Sequence, residues 1–186
     1  MIRGFFFDLD GTIVDTHGAN FEAYRRALAD FDVELTLDEF KKSIGYQAKT
    51  FLPWFAPGLS DEHYEQIAQK KKAYYKEVAH LSVLNERLVR FISTIKPNHV
   101  IALVTTAKRE NAETILRHHN LENLFDIIIV AEDVSVSKPS PEAYKKALQQ
   151  ARLLPSEVIA FEDSQPGIDS AEAAGIAALE IKDFQL

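Results

Sequence analysis

Ile2-Arg3-Gly4-Phe5-Phe6-Phe7-Asp8-Leu9-Asp10-Gly11-Thr12 is the stretch whose reading decides the fold. Its apolar half reads as a short, fully buried strand. The strand hands the chain to two carboxylates spaced i, i+2, and then to a loop, residues 11–16, that opens with a glycine turn. Acids at a buried strand end are costly unless a metal or a cation compensates them. In an open α/β sheet, the crevice beyond the carboxyl ends of the strands is where ligands bind. A plain acidic turn is the competing reading, because short Asp-x-Asp matches are common. The other strand ends decide between the two.

Working outward, the second half of the chain alternates strands and helices. Val100–Val104, Ile127–Val130, Val158–Phe161 and Ala177–Ile181 are near-continuous apolar runs. Between them, residues 85–95, 109–119, 140–151 and 168–174 carry helical patterning, with Ser140-Pro141-Glu142 as a start signal and Gly175 as a stop. Apolar strands alternating with helices predict an α/β fold: a Rossmann-like parallel sheet with helices on both faces. Residues 17–82 differ, showing helical periodicity and no convincing strand. Phe21, Tyr24, Leu28 and Phe31 give a first helix. Thr36-Leu37-Asp38-Glu39 is a capping box that opens a second, which Pro53 and Pro57-Gly58 are expected to interrupt. Ser60 caps a third, with acids early and lysines late, as the helix dipole prefers. The expected organisation is a core from residues 1–15 and 83–186, with a helical domain, 16–82, inserted after the first strand.

The bulk numbers exclude some functions. A net charge of −7 over 186 residues argues against a nucleic-acid surface, which needs a clustered positive face. It leaves anionic small substrates open, because a bound cation reverses the local sign. With no cysteine, thiolate nucleophiles and cysteine metal sites are excluded. No apolar run approaches the roughly 18 residues of a membrane span, and the opening stretch is not a secretory signal. A cytoplasmic protein with no membrane or nucleic-acid partner is expected, monomeric by default.

The polar residues after each strand carry the chemistry. The first strand delivers Asp8 and Asp10; the others deliver Thr105-Thr106, Ser137-Lys138-Pro139 and Glu162-Asp163-Ser164. A parallel sheet brings all four groups to one edge. Carboxylates, hydroxyls and one lysine meeting there suit phosphoryl transfer from a monoester. Hard oxygens hold magnesium, cations screen the phosphate from an anionic attacker, hydroxyls and N–H groups hold its equatorial oxygens, and an acid protonates the leaving alkoxide.

This arrangement closely resembles the haloacid dehalogenase superfamily, along the whole chain. Asp8-x-Asp10-Gly11-Thr12 matches its first motif, Thr105 after an apolar strand the second, Lys138-Pro139 the third, and Glu162-Asp163 with Gly167-Ile168 the fourth. The resemblance implies that Asp8 attacks phosphorus to form an aspartyl-phosphate. It implies that Asp10 serves as general acid and then as base, and that Thr105 and Lys138 bind phosphate and steady Asp8; Thr106, next to Thr105, is a further candidate phosphate contact. Magnesium is then held by Asp8, the Asp10 carbonyl and Asp163, with Glu162 assisting.

The insertion is similar to the small helical cap of the phosphoglycolate phosphatase and β-phosphoglucomutase branch, where the cap selects the substrate. Asn20 stands where those mutases resemble one another in having a histidine, and His17 is at another offset. The segment Gly45-Tyr46-Gln47-Ala48-Lys49 lacks the mutase pattern of lysine before the glycine and arginine after it. Both departures favour a phosphatase acting on a small phosphorylated metabolite, with a mutase as runner-up. Asn20, Tyr46 and Lys49 are the candidate substrate contacts in this segment, with Trp54 beside them. The remaining histidines, His63, His80, His99, His118 and His119, read as surface. A receiver-type phosphoacceptor shares the residue types but places its aspartate on a later strand. A silent binding relative sits poorly with the intact Asp8, Asp10, Lys138 and Asp163.

Overall fold

The computed structural model describes residues 1–43, 48–182 and 184. Among these, the chain forms two compact units, residues 1–15 with 83–186 and residues 16–82. No helix of the described residues is long and apolar enough to cross a membrane.

The first unit is built on a parallel sheet. Its first strand is β1 (Gly4–Phe7). A second short strand, β2 (Val14–Asp15), follows the acidic turn. In the inserted unit lie α1 (His17–Ala29), α2 (Leu37–Lys42), α3 (Ala48–Phe55) and α4 (Asp61–Glu77). The chain returns through β3 (Val83–Leu84) and continues as α5 (Glu86–Ile95), β4 (Val100–Val104), α6 (Arg109–His118) and β5 (Ile127–Ile129). It closes with α7 (Glu142–Ala151), β6 (Val158–Glu162), α8 (Gln165–Ala173) and β7 (Ala177–Glu180). The sheet order is β5-β4-β1-β6-β7, every pair parallel, so β1 is central.

Alternation along β1 divides its side chains between the faces. Phe6 packs with Ala102, Val104 and Ala160 against Tyr144, Ala147 and Leu148 of α7 and Ala171 of α8. On the other face, Phe5 and Phe161 meet Phe91 of α5, with ring centroids 5.9 Å apart in each case. Phe6 and Phe7 are fully buried, and Phe5 is partly so. That removes water from the backbone that presents Asp8.

Two expectations need correction. Residues 11–16 are not all loop: β2 pairs antiparallel with β3, where the chain leaves and re-enters the sheet unit. Four residues are too few to show a period, so neither strand is visible in the sequence. Buried Asn85 secures the crossing. Its backbone N–H donates to the Ile13 carbonyl at 2.9 Å, and its side chain donates to the Thr12 carbonyl and caps Leu88. Pro53 does not interrupt a helix but lies inside α3. As the sixth of eight helical residues it forfeits a single i→i−4 hydrogen bond.

The inserted unit follows its local signals. Thr36 Oγ1 accepts the Glu39 N–H at 3.3 Å, and Glu39 accepts the Thr36 N–H at 2.9 Å. Ser60 caps α4, and there the reciprocal partner is His63 Nδ1 rather than an acid. Leu28, Leu35, Phe40, Phe51, Leu52 and Ile67 form this unit's own buried core.

Candidate active site

Asp8 is the first residue past β1, and its N–H donates to the Phe161 carbonyl at 3.0 Å, continuing the strand register. Its side chain is buried and meets the Lys138 ammonium, with Nζ 2.7 Å from Oδ1. Lys138 arrives from the segment between β5 and α7. Its side chain is only 4% exposed, which rules out a solvated loop lysine. Nζ also donates to the Val104 carbonyl at 2.8 Å and to Glu162 Oε1 at 2.5 Å. An ammonium has three N–H groups, and these contacts engage all of them.

Four contacts hold the Lys138 segment from outside. Glu142 accepts the N–H groups of Ser135 and Val136 at 2.7 and 2.9 Å. Lys146 Nζ donates to the Asp133 carbonyl at 2.6 Å, and fully buried Ser170 donates to the Ser140 carbonyl at 2.6 Å. The Lys138–Pro139 peptide is cis.

β6 delivers Glu162, which is fully buried, and Asp163 behind it. Thr12 Oγ1 donates to Asp163 Oδ1 at 3.1 Å. Gly11 turns the chain at φ +88°, and a Cβ there would stand 2.2 Å from Asp163 Oδ2. The glycine thus serves both the turn and the carboxylate that the turn faces. Gly167, in the first turn of α8, does the same for Glu162: a Cβ would lie 1.9 Å from Oε2. That places the carboxylate against the positive end of a helix.

One carboxylate oxygen from each of Asp8, Glu162 and Asp163 lies within 4.8 Å of the others. Lys138 neutralises one charge of the three. Among the described residues, buried Glu162 Oε2 has no hydrogen-bond partner, and an uncompensated buried acid oxygen is costly. An all-oxygen cluster of this kind fits a hard divalent cation. The electrostatics agree. Burial pushes the Asp8 carboxyl well above its ordinary value, with Lys138 opposing and the neighbouring carboxylates adding. Burial likewise raises Glu162 against the opposing charge of Lys138, and raises Asp163 against the Thr12 hydrogen bond. Burial alone would lower Lys138, but Asp8 and Glu162 outweigh it and raise it.

The other expected residues are placed as follows. Asp10 lies half-buried two residues beyond Asp8 and bridges Val14. Thr105 is buried just after β4, and its Oγ1 accepts the Ala107 N–H at 3.0 Å, which leaves the hydroxyl hydrogen to donate. Thr106 beside it is exposed. Asn20 is in the helical unit, on α1, where Nδ2 donates to Thr16 Oγ1 at 3.2 Å. Lys49 lies in α3, Tyr46 falls outside the described residues, and Trp54 is half-exposed. His99 is not simply surface: it is half-buried, with its ring 5.0 Å edge-on from Phe5 and Nδ1 2.9 Å from the Ile95 carbonyl. His119 is half-buried too, while His63, His80 and His118 are exposed.

Two contributors have no individual signal in the sequence. Thr12 looks like part of a turn until Asp163 is seen beside it. Tyr144 sits on the apolar face of α7 and donates its hydroxyl to Glu162 Oε1. The spacing of α7 marks Tyr144 as core, and nothing in it points to an acid on β6.

Comparison with known proteins gives the family. The family model for haloacid dehalogenase-like hydrolases matches residues 5–181. A phosphorylated carbohydrates phosphatase of Thermotoga maritima is 29% identical over 175 residues, covering 91% of this chain and 80% of its own. The fructose-1-phosphate phosphatase YqaB of Escherichia coli is 27% identical over 183 residues, covering 96% of each. The crystal structure of CbbY from Rhodobacter sphaeroides in complex with phosphate shares the fold. It superposes with a TM-score of 0.86 at 24% identity, over 99% of this chain and 88% of that one. With the family match spanning the sheet and the insertion alike, this chain belongs to the haloacid dehalogenase-like hydrolases.

Proposed function

We propose that the protein is a magnesium-dependent phosphatase that hydrolyses a small phosphorylated metabolite through an aspartyl-phosphate on Asp8. The observation that carries the reading is the buried Asp8–Lys138–Glu162 chain beside Asp163, with one carboxylate oxygen unpartnered. A buried carboxylate oxygen left without a hydrogen bond calls for a partner, and a cation supplies one. The relatives named as phosphatases of phosphorylated carbohydrates and of fructose 1-phosphate support the substrate class.

In this reading a divalent cation held by Asp8, Asp10, Glu162 and Asp163 supplies charge neutralisation for the phosphoryl oxygens. Lys138 fixes the rotation of the Asp8 carboxylate through Oδ1 and offsets its repulsion from the phosphate. With its N–H groups engaged, Lys138 acts on phosphate through its charge. Thr105 donates its hydroxyl to an equatorial oxygen, with Thr106 beside it. An Asp8 oxygen attacks phosphorus as the bond to the leaving oxygen breaks, and Asp10 gives that oxygen its proton. Asp10 then takes a proton from water. The water oxygen attacks phosphorus, the bond to Asp8 breaks, and inorganic phosphate and the free carboxylate result. The helical unit selects the substrate, with Asn20, Tyr46 and Lys49 as its contacts.

The test is phosphate release from sugar phosphates, phosphoglycolate, nucleotides and an aryl phosphate. It is run with magnesium, with chelator, and with Asp8→Asn. Turnover that needs magnesium and falls by at least about 10³-fold in the variant is the expected result. Turnover undiminished in Asp8→Asn sinks the aspartyl-phosphate. Interconversion of glucose phosphates without net release would instead make the protein a mutase.

A further inference from the structure

Tyr144 is fully buried on α7, among Ala143, Ala147 and Leu148. A phenylalanine would fill that volume with no polar cost, whereas a buried hydroxyl requires a partner. Its partner is Glu162 Oε1, the same oxygen that Lys138 Nζ reaches at 2.5 Å. Lys138 Nζ stands 5.4 Å from the Tyr144 ring centroid, so both donors approach from one side of the carboxylate. The other oxygen, Oε2, has no hydrogen-bond partner among the described residues and lies against Gly167.

A carboxylate pinned at one oxygen by two donors cannot turn about its last bond without breaking both. We infer that Tyr144 is a positioning residue: its hydroxyl locks the Glu162 carboxylate in the rotation that serves the cation. Lys138 gives Glu162 only one N–H, its others going to Asp8 and the Val104 carbonyl, and one bond lets the carboxylate pivot about that contact; the Tyr144 hydroxyl supplies the second. The inference rests on the metal-dependent reading and adds to it a residue that lies outside all four strand-end motifs. Partners in the shell around metal ligands generally fix ligand orientation, and their loss weakens metal binding.

The experiment is calorimetric titration of Mg²⁺ into substrate-free wild type, Tyr144→Phe, Glu162→Gln and the double variant. The expected result is an affinity about 10-fold weaker in Tyr144→Phe. The double variant should be no weaker than Glu162→Gln alone, because the hydroxyl acts through that carboxylate. At saturating Mg²⁺, KM for an aryl phosphate should be unchanged. Tyr144→Met, which also lacks the hydroxyl but repacks, should show the same loss and covers the case in which the phenylalanine variant fails to fold. Unchanged affinity in the Tyr144 variants, with Glu162→Gln weakened, overturns the inference and leaves Tyr144 a packing residue. Additive losses overturn it too. A wild type that binds no Mg²⁺ overturns the proposed function itself, and the role of Tyr144 with it.

Discussion

At the strand ends of the sheet unit, burial pushes the carboxyls of Asp8, Glu162 and Asp163 up. In the helical unit, a hydrogen bond from Arg25, with Arg26 adding to it, holds Glu22 down to about 2. Asp30 is lowered by Lys70 and Tyr74, and Glu39 by Thr36. The periphery of the sheet unit behaves like the helical unit: backbone N–H groups lower Glu142 and Glu157. Each unit also buries a cation. Lys138 lies between two carboxylates, and buried Lys71 of the helical unit has the Tyr75 ring centroid at 4.1 Å and that of Tyr24 at 5.1 Å. An acid held low stabilises the fold when ionised; an acid held high opposes folding at neutral pH. Acids of the second kind gathered at one sheet edge mark a site kept for chemistry, and the helical unit contains none among its described residues.

Removing Lys138 should break that contrast with the largest effect. Lys138→Met leaves Asp8 and Glu162 facing each other without compensation, and removing one partner of a buried ion pair costs about 3–5 kcal/mol. Urea unfolding in chelator measures it; a loss below about 1 kcal/mol would mean that water already reaches the cluster. Asp8→Asn should go the other way. The folded Asp8 carboxyl is raised, so its stabilising contribution exists only below its unfolded value and is gone as pH rises through the folded one. At neutral pH the variant should therefore unfold at the same or a higher urea concentration, while Lys138 keeps Glu162 as its partner. A clear loss of stability would assign Asp8 to the fold rather than to the reaction.

The same contrast explains what the sequence revealed. Asp8, Lys138 and Glu162-Asp163 were legible because each follows an apolar run, and a parallel sheet brings such positions together whatever the rest of the chain does. Thr36 and Ser60 were legible because capping acts within four residues. Tyr144 was not, because its partner lies on another element and its own spacing is that of core. Nor was the β2–β3 ribbon, whose strands are too short for any period and are joined only by tertiary contact. Pro53 misled because it costs α3 only one hydrogen bond, while Phe51 and Leu52 beside it are held by tertiary burial that the sequence does not show.

Smaller changes in the helical unit sharpen the comparison. Thr36→Ala removes the side-chain half of a capping box, the Oγ1 that accepts the Glu39 N–H, and should cost about 1 kcal/mol, read by thermal unfolding, with phosphate release unaltered. A change in turnover as large as the change in stability would instead give α2 a part in the reaction.

Glu22→Gln should have the smallest effect and the most informative pH dependence. Its carboxylate takes hydrogen bonds from Arg25 at 2.7 and 2.8 Å and from Arg26 at 2.8 Å, and both arginines are more than one-third exposed. Solvent screening limits such pairs to about 0.5 kcal/mol. The folded carboxyl titrates near 2 against an ordinary 4.5, so its contribution is complete above 4.5 and lost as pH falls toward 2. The stability difference between wild type and Glu22→Gln, measured by urea unfolding from pH 7 to pH 2, should stay level above 4.5 and close across that window. A difference that persists at pH 2 would show that Glu22 acts through packing. A difference that grows as pH falls would place it with Asp8 among the acids that oppose folding.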